Sequence, residues 1–315
     1  MFLRIFFLAI LALILTSSIA QPNLVYDIVL TGGRVIDPET KLDAIRNVGI
    51  INNRIAEISS VALKGKEMVD VTGLVVSPGF IDLHVHGRTN QEQEYQLHDG
   101  VTTALELEWG IEFLSDWYAS RKSKALINYG ASVCWPFERF KAMDKYKQDV
   151  SLLYQKAVKG ESGIEAVMNA VAPGVLENQT TAEMEKTLTN IRSSLSEGGI
   201  GIGVPIGYLP NSRAEEMFSV FKLAGEMDAL VYTHVRYANI LSIQEVVANA
   251  VLTGAPLHIV HINSMSLGQI QLALDIVQDA KKKGFMIAKT HFAEQGYRTD
   301  AGAGEFQQMM KRLAH

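Results

Sequence analysis

The sequence predicts an α/β protein in which a parallel βα barrel follows a small all-β domain. Short β-rich runs fill residues 24–75 and show no helical periodicity. From Val76 onward, strand-like and helical runs alternate, which is typical of a parallel sheet or barrel. About seven such strand and helix units can be counted up to residue 285, whereas a closed barrel of this kind has eight. We therefore expect a barrel that is incomplete at its C-terminal end.

Length and composition limit the possible classes of protein. The chain has 315 residues and a formal net charge of −5, which suits one large α/β domain with a minor one. A negative net charge does not favour binding to the phosphates of nucleic acid, so we expect no nucleic-acid partner. Cys134 is the single cysteine, which excludes an intrachain disulfide. Its place at the end of an apolar run predicts a packed core thiol.

The N-terminus has the pattern of a signal peptide over residues 1–20. Arg4 supplies a positive charge, Ile5–Leu15 is apolar, and Ser18–Ala20 resembles a small-residue cleavage site. The apolar run is shorter than the roughly 20 residues of a membrane-spanning helix. We therefore expect an exported protein, periplasmic or secreted, without a stable membrane anchor after cleavage.

The remaining chain divides into three predicted regions. Residues 21–75 form the small β domain, in which Asn52-Asn53 suits a tight hairpin turn with positive φ. Residues 76–285 form the barrel with strands 1 to about 7. Residues 286–315 are an atypical tail with no strand and helix pair.

Four histidines stand at the predicted ends of three barrel strands. In a βα barrel the C-terminal ends of the strands converge on the face where active sites are built. Neutral imidazoles at such a place are typical ligands of a divalent metal ion. One histidine at a strand end is usually structural, but three strands that end this way favour a metal site. The predicted histidine ligands are His84, His86, His234 and His261.

Two carboxylates complete the candidate metal site. Glu106 and Glu108 lie on the same face of the second barrel strand, because side chains at i and i+2 share a face. Glu108 is nearer the strand end, so we predict it as the bridging ligand. Tyr208 and Arg236 follow later strands and are predicted to bind a substrate carboxylate at the barrel mouth, with surface packing as an equally good alternative. The other histidines, for which we expect structural roles, are His98, His258, His291 and His315.

With these motifs, the chain resembles the amidohydrolase superfamily and, within it, the N-acyl-D-amino-acid deacylase (D-aminoacylase) branch. The resemblance implies a metal-dependent-hydrolase TIM-like (β/α) barrel with a small N-terminal β-sandwich domain. It also implies hydrolysis of carbon–nitrogen bonds other than peptide bonds, in a small N-acyl-amino acid or amide. The matching segments are residues 27–37, 77–86, 99–103, 203–210, 232–236 and 258–261.

The resemblance also assigns roles to the predicted ligands. It implies that His84 and His86 hold one metal ion and that His234 and His261 hold the other, with zinc as the expected metal and one or two ions bound. The deacylase branch has a bridging Cys near the end of strand 2. Here Glu106–Gly110 occupies that segment, and a Glu can replace the thiolate in charge and reach.

The catalytic Asp that the family places after strand 8 has no evident counterpart. Asp82 and Asp300 are the residues worth testing, and neither fits the pattern. We therefore assign no catalytic residue and expect weak activity. Two alternatives stay open: a cyclic-amide hydrolase of the dihydroorotase kind, which the absence of Lys from Gly201–Tyr208 disfavours, and a non-catalytic metal-binding remnant. The oligomeric state is not predicted.

Overall fold

The computed structural model describes residues 24–158 and 164–282. The chain divides into two compact units between Gly79 and Phe80, close to the predicted boundary after Val75. The predicted signal peptide, the predicted seventh strand at residue 285 and the tail lie outside the described residues. Within the described ranges, no helix has the length and apolar character needed to cross a membrane.

The N-terminal unit is a five-stranded sheet with the order β3-β2-β1-β4, in which β5 also pairs with β1. β2 is antiparallel to both of its neighbours, whereas β4 and β5 run parallel to β1. Asn52 and Asn53 have φ of 52° and 59°, which confirms the hairpin turn between β2 and β3. Residues 24–79 show one sheet and not the second layer of a sandwich. The strands are β1 (Val25–Asp37), β2 (Leu42–Ile51), β3 (Arg54–Ser59), β4 (Lys64–Asp70) and β5 (Val75–Val76).

The second unit contains a curled parallel sheet of six strands in sequential order, β6-β7-β8-β9-β10-β11. Every neighbouring pair is parallel, which confirms the predicted barrel-type arrangement for six of the predicted strands. The strands are β6 (Phe80–Asp82), β7 (Val101–Ile111), β8 (Asn128–Cys134), β9 (Ile202–Pro205), β10 (Val231–His234) and β11 (Leu257–Ile259).

Helices follow each strand of this sheet, as the alternating sequence pattern predicts. Of the helices that follow β8, the first begins directly after it at Trp135, with Pro136 in its first turn. The helices are α1 (Asn90–His98), α2 (Leu114–Arg121), α3 (Trp135–Ala142), α4 (Lys147–Val158), α5 (Ile164–Val171), α6 (Thr181–Ser196), α7 (Ala214–Glu226), α8 (Ile240–Thr253), α9 (Ile262–Met265) and α10 (Ile270–Lys282).

The main core lies between this sheet and its helices. Trp135, Met217, Phe221 and Ile243 are fully buried helix residues that belong to one apolar cluster with strand residues. Cys134 is free and buried, which confirms the predicted core thiol. Burial raises the pKa of this thiol well above its usual value, so Cys134 is suited to packing and not to nucleophilic chemistry.

A bulge in β7 shapes the C-terminal end of the sheet. Glu106 pairs with Ala131 of β8, but the next paired residue of β7 is Ile111, opposite Val133. Gly110 has a φ of +80°, and a Cβ there would lie 2.7 Å from the carbonyl oxygen of Ser132, so glycine is required. The bulge releases the four residues between Glu106 and Ile111 from regular pairing and lets the chain turn inward.

Gly203 of β9 packs directly against this bulge. A Cβ on Gly203 would lie 2.7 Å from the carbonyl oxygen of Glu108 and 2.8 Å from that of Leu107. The Ser132 hydroxyl donates a 2.6 Å hydrogen bond to the same Leu107 carbonyl. The path of the bulge therefore requires glycine, which has no side chain, at position 203.

We expect Gly203→Ala to lower the free energy of unfolding by about 2 kcal/mol, because the added methyl group must displace backbone atoms of a packed segment. Urea unfolding followed by circular dichroism measures the change. Gly268→Ala is the matched control, because no atom lies within 4 Å of a Cβ at that position. Equal stability of the two variants would contradict the close approach at Gly203.

Candidate metal centre

His84 and His86 lie just beyond a strand and not on it, contrary to the prediction. β6 ends at Asp82, whose Oδ1 accepts a 3.0 Å hydrogen bond from the backbone N–H of His84. Such a local side-chain bond competes with continued strand pairing. The two imidazoles still come together, with ring centroids 5.4 Å apart, so the predicted pair survives on a turn.

Glu108 is the point at which all four predicted histidines meet. Its Oε2 lies 3.0 Å from Nε2 of His84 and 3.3 Å from Nε2 of His86. Its Oε1 lies 2.7 Å from Nδ1 of His234 and 3.3 Å from Nε2 of His261. The side chain is almost completely buried, with the residue 3% exposed. One carboxylate therefore divides the histidines into two pairs, one at each oxygen.

The other two histidines come from neighbouring strands. His234 is the last residue of β10. His261 follows β11 with a φ of +35°, in the left-handed region that residues other than glycine seldom adopt. Such a backbone costs on the order of 1 kcal/mol and is common at functional sites. One ligand atom each from His84, Glu108 and His261 lies within 4.8 Å of the other two, which is close enough to share a metal ion.

The electrostatics of the cluster favour a cation. Burial opposes ionisation of Glu108, but hydrogen bonds with His234, His84 and His86 outweigh it and hold the pKa of the carboxyl well below its usual range. Glu108 is therefore ionised at neutral pH. Burial lowers the pKa of His261, which keeps this imidazole neutral and able to donate a lone pair to a metal.

A second buried carboxylate contacts only one of the four imidazoles. Oε1 of Glu106 lies 3.0 Å from Nδ1 of His86, and Glu106 is 1% exposed. The bond to Glu106 and then the bond to Glu108 raise the pKa of His86 to about 10. A metal ion that binds His86 therefore has to displace a proton.

This donor set fits zinc or a related divalent ion. Zinc is bound in proteins by imidazole nitrogen and carboxylate oxygen, commonly with four ligands. Oε2 of Glu106 and Nδ1 of His261 are buried without a hydrogen-bond partner in the described part of the chain. Buried polar atoms of this kind are typical of sites that bind an ion or ordered water.

Tyr208 lies beside the histidines and is half exposed. Its ring centroid is 5.1 Å from that of His234 and 5.4 Å from that of Trp109. The phenol therefore stands at the rim of the cluster, where a substrate could reach it. Its role in substrate binding stays a prediction.

Arg236 is engaged elsewhere. Its Nε and Nη2 donate to the two carboxylate oxygens of Glu245 at 3.0 and 2.6 Å. Its Nη1 donates to the carbonyl oxygens of Pro210 and Ser212. A guanidinium with these partners joins the loop after β9 to α8, which argues against the predicted role in binding a substrate carboxylate.

Two of the remaining histidines lie in the described part of the chain, and neither is hydrogen-bonded to the cluster. His98 ends α1, and His258 lies within β11 near the ring of Tyr232, so both keep the structural roles that we expect. His291, His315 and Asp300 lie outside the described residues.

An ion pair between Arg88 and Glu112 adjoins the site and was not among the predicted residues. Arg88 donates to the Glu112 carboxylate and, at 3.1 Å, to the carbonyl oxygen of Gly110. This pair joins the turn that carries His86 to the end of β7. The signal available in the sequence is weak, a basic residue two positions after His86 and an acidic one four positions after Glu108.

The proteins with sequences similar to this chain include a D-aminoacylase and a dihydroorotase. D-aminoacylase of Alcaligenes xylosoxydans xylosoxydans is 28% identical over 231 residues, which cover 70% of this chain and 46% of the relative. Dihydroorotase of Geobacter sulfurreducens is 24% identical over 311 residues, which cover 87% of this chain and 65% of the relative. The chain thus spans about half to two thirds of the length of these relatives. No protein-family profile matches it.

Solved structures share the fold. N-acyl-D-glutamate deacylase of Bordetella bronchiseptica, solved with zinc and a phosphonate inhibitor, has a TM-score of 0.62 at 19% identity over 83% of this chain and 57% of its own. A D-aminoacylase has a TM-score of 0.56 at 20% identity over 82% of this chain and 56% of its own. The chain is therefore similar in sequence to a D-aminoacylase and a dihydroorotase, and it shares its fold with the two deacylase structures.

Proposed function

We propose that the cluster around Glu108 binds one or two divalent metal ions, with zinc as the expected metal, and hydrolyses the carbon–nitrogen bond of a small N-acyl-amino acid or related amide. One observation carries the proposal. The two oxygens of a single buried carboxylate each face a separate pair of imidazoles, as a carboxylate that bridges two metal positions requires.

A single ion would lie between His84, Glu108 and His261, whose ligand atoms are within 4.8 Å of one another. With two ions, the histidines divide according to the oxygen of Glu108 that each one faces. His84 and His86 would hold an ion with Oε2 of Glu108, and His234 and His261 would hold one with Oε1. A bound zinc ion lowers the pKa of its water to about 7 and polarises a substrate carbonyl. Glu108 contributes the negative charge that offsets the ion in a buried setting, and burial strengthens this attraction because water screens it less.

We expect turnover to be slow. In the described part of the chain, the carboxylates bonded to the histidine rings belong to Glu106 and Glu108. The carboxylate of Asp82 accepts a hydrogen bond from the backbone N–H of His84. No Asp in these residues is placed to accept a proton from an attacking water. Loss of a positioned general base typically lowers the rate about 10²- to 10⁴-fold.

The choice of substrate rests on the relatives. The D-aminoacylase relative and the shared fold with N-acyl-D-glutamate deacylase support an N-acyl-amino acid. The exposed Tyr208 beside His234 is the residue that we propose to contact this substrate.

A cyclic-amide hydrolase is the second candidate, because the dihydroorotase relative aligns with a larger share of this chain. Enzymes of that kind usually bridge their metals with a modified Lys on strand 4. The matching strand here, β9, has the sequence IGVP and contains no Lys. The bridging position is taken by Glu108 from β7, which favours the deacylase alternative.

Metal binding can be measured directly. We expect the full chain to bind zinc and Glu108→Gln to bind it at least about 100-fold more weakly, since loss of an outer-shell partner alone costs about 10- to 100-fold. Competition with a chromogenic chelator measures the affinity. Glu138→Gln is the matched control, because Glu138 is equally buried but pairs with Ser194 and Lys141. Unchanged affinity in Glu108→Gln would refute the proposed centre.

Hydrolysis is tested on the zinc-loaded or manganese-loaded chain with a panel of N-acyl-D-amino acids, N-acyl-L-amino acids, dihydroorotate and hydantoins. We expect slow release of the free amino acid from N-acyl substrates and its loss in His234→Ala, because that variant removes a predicted ligand. His98→Ala should keep the activity, since His98 lies at the end of α1. Ring opening of the cyclic amides alone would favour the second candidate, and zinc binding with no turnover would favour a non-catalytic remnant.

A further inference from the structure

The two metal positions of the proposed centre are not equivalent, because a second carboxylate stands behind only one of the four imidazoles. Glu106 contacts His86, whereas the described contacts of the other three rings with carboxylates are all to Glu108. This asymmetry comes from the position of Glu106, so the spacing of the histidines in the sequence does not predict it.

Both carboxylates come from the same strand but lie at different depths. Glu106 pairs in register with Ala131 of β8 and belongs to the regular part of β7, whereas Glu108 lies in the bulge that follows. Strand pairing fixes the backbone at Glu106. Its carboxylate can therefore support a ring that lies beyond the end of β6.

His86 needs such a support. It lies beyond the end of β6, and its side chain is 56% exposed, so the turn alone leaves the ring free to rotate. The bond from its Nδ1 to Oε1 of Glu106 fixes the ring plane, and its Nε2 then faces Oε2 of Glu108 at 3.3 Å. One nitrogen is held in place, and the other points to the place where an ion would bind.

We infer that Glu106 is a positioning residue, which accepts a hydrogen bond from Nδ1 of His86 and thereby presents Nε2 of that ring to the metal ion. This inference rests on the proposed function. A ligand histidine that donates its second nitrogen to a carboxylate is held in one tautomer and becomes a stronger ligand. Oε2 of Glu106 is buried without a hydrogen-bond partner among the described residues, so Oε1 is the oxygen through which this carboxylate acts on His86.

Replacement of Glu106 should weaken zinc binding in a graded manner. We expect Glu106→Ala to lower the affinity about 10- to 100-fold, and we expect a smaller loss in Glu106→Gln, because its side-chain oxygen can still accept the Nδ1–H bond. Glu138→Gln is again the control for removal of a buried carboxylate. Circular dichroism confirms that each variant is folded, and Glu106→Gln, which leaves no cavity, keeps the test valid if Glu106→Ala does not fold.

The orientation of His86 supplies a readout that a merely structural residue would not change. In the zinc-loaded protein, long-range ¹⁵N–¹H correlation spectra should show His86 with a protonated Nδ1 and a metal-bound Nε2. This signature should be weakened or lost in Glu106→Ala and retained in Glu138→Gln. Equal zinc affinity and an unchanged His86 signature in Glu106→Ala would overturn the inference.

Three further outcomes separate this inference from the proposed function. If the unmodified chain binds no zinc, the proposed function fails. If Glu106→Gln is impaired as severely as Glu106→Ala and its cobalt-loaded form shows an altered visible spectrum, Glu106 is itself a ligand and the positioning role is wrong. If zinc binds normally to the unmodified chain and to both Glu106 variants but weakly to Glu108→Gln, only the inference about Glu106 fails.

Discussion

The candidate centre depends on one buried negative charge that is shared by four imidazoles. Glu108 is withdrawn from water, and such a burial is strongly unfavourable for an isolated carboxylate. It is tolerated here because hydrogen bonds with the histidines stabilise the ionised form and hold the pKa of Glu108 below its usual range. The histidines in turn are arranged around this charge. Neither part of the cluster would be stable in this form without the other.

The fold provides this arrangement through an irregularity in a regular sheet. Six parallel strands bring their C-terminal ends together. If β7 paired regularly over its whole length, the side chain of Glu108 would not be turned toward the histidines of the neighbouring strands. The bulge, with Gly110 at positive φ and Gly203 in close contact, turns the end of β7 toward β9 and β10. Bulges next to active sites re-aim side chains in this way. The small residues on both sides are therefore part of how the site is built.

Much of the site could be predicted from residue types and their positions at strand ends. The four histidines, the preference for Glu108 over Glu106 as their shared partner and the core position of Cys134 were accessible in this way. Three features were not. The position of His84 and His86 on a turn depends on a hydrogen bond from the backbone N–H of His84 to the Asp82 carboxylate. The role of Arg236 depends on its bonds to Glu245 and to the carbonyl oxygens of Pro210 and Ser212. The role of Thr180 as the N-cap of α6, where its side chain accepts a hydrogen bond from the backbone N–H of Glu183, depends on the backbone angles at the helix start.

The sequence by itself determined which chemical groups are available and on which elements they lie: imidazoles after three barrel strands and carboxylates near the end of another. Periodicity and strand-end position are local properties, so they can be read from neighbouring residues. Only the tertiary structure decided how these groups are shared. Glu108 meets His234 across 126 positions of the chain and His261 across 153. The division of the histidines between its two oxygens, and the support of His86 by Glu106, follow from the packing of strands that are distant in sequence.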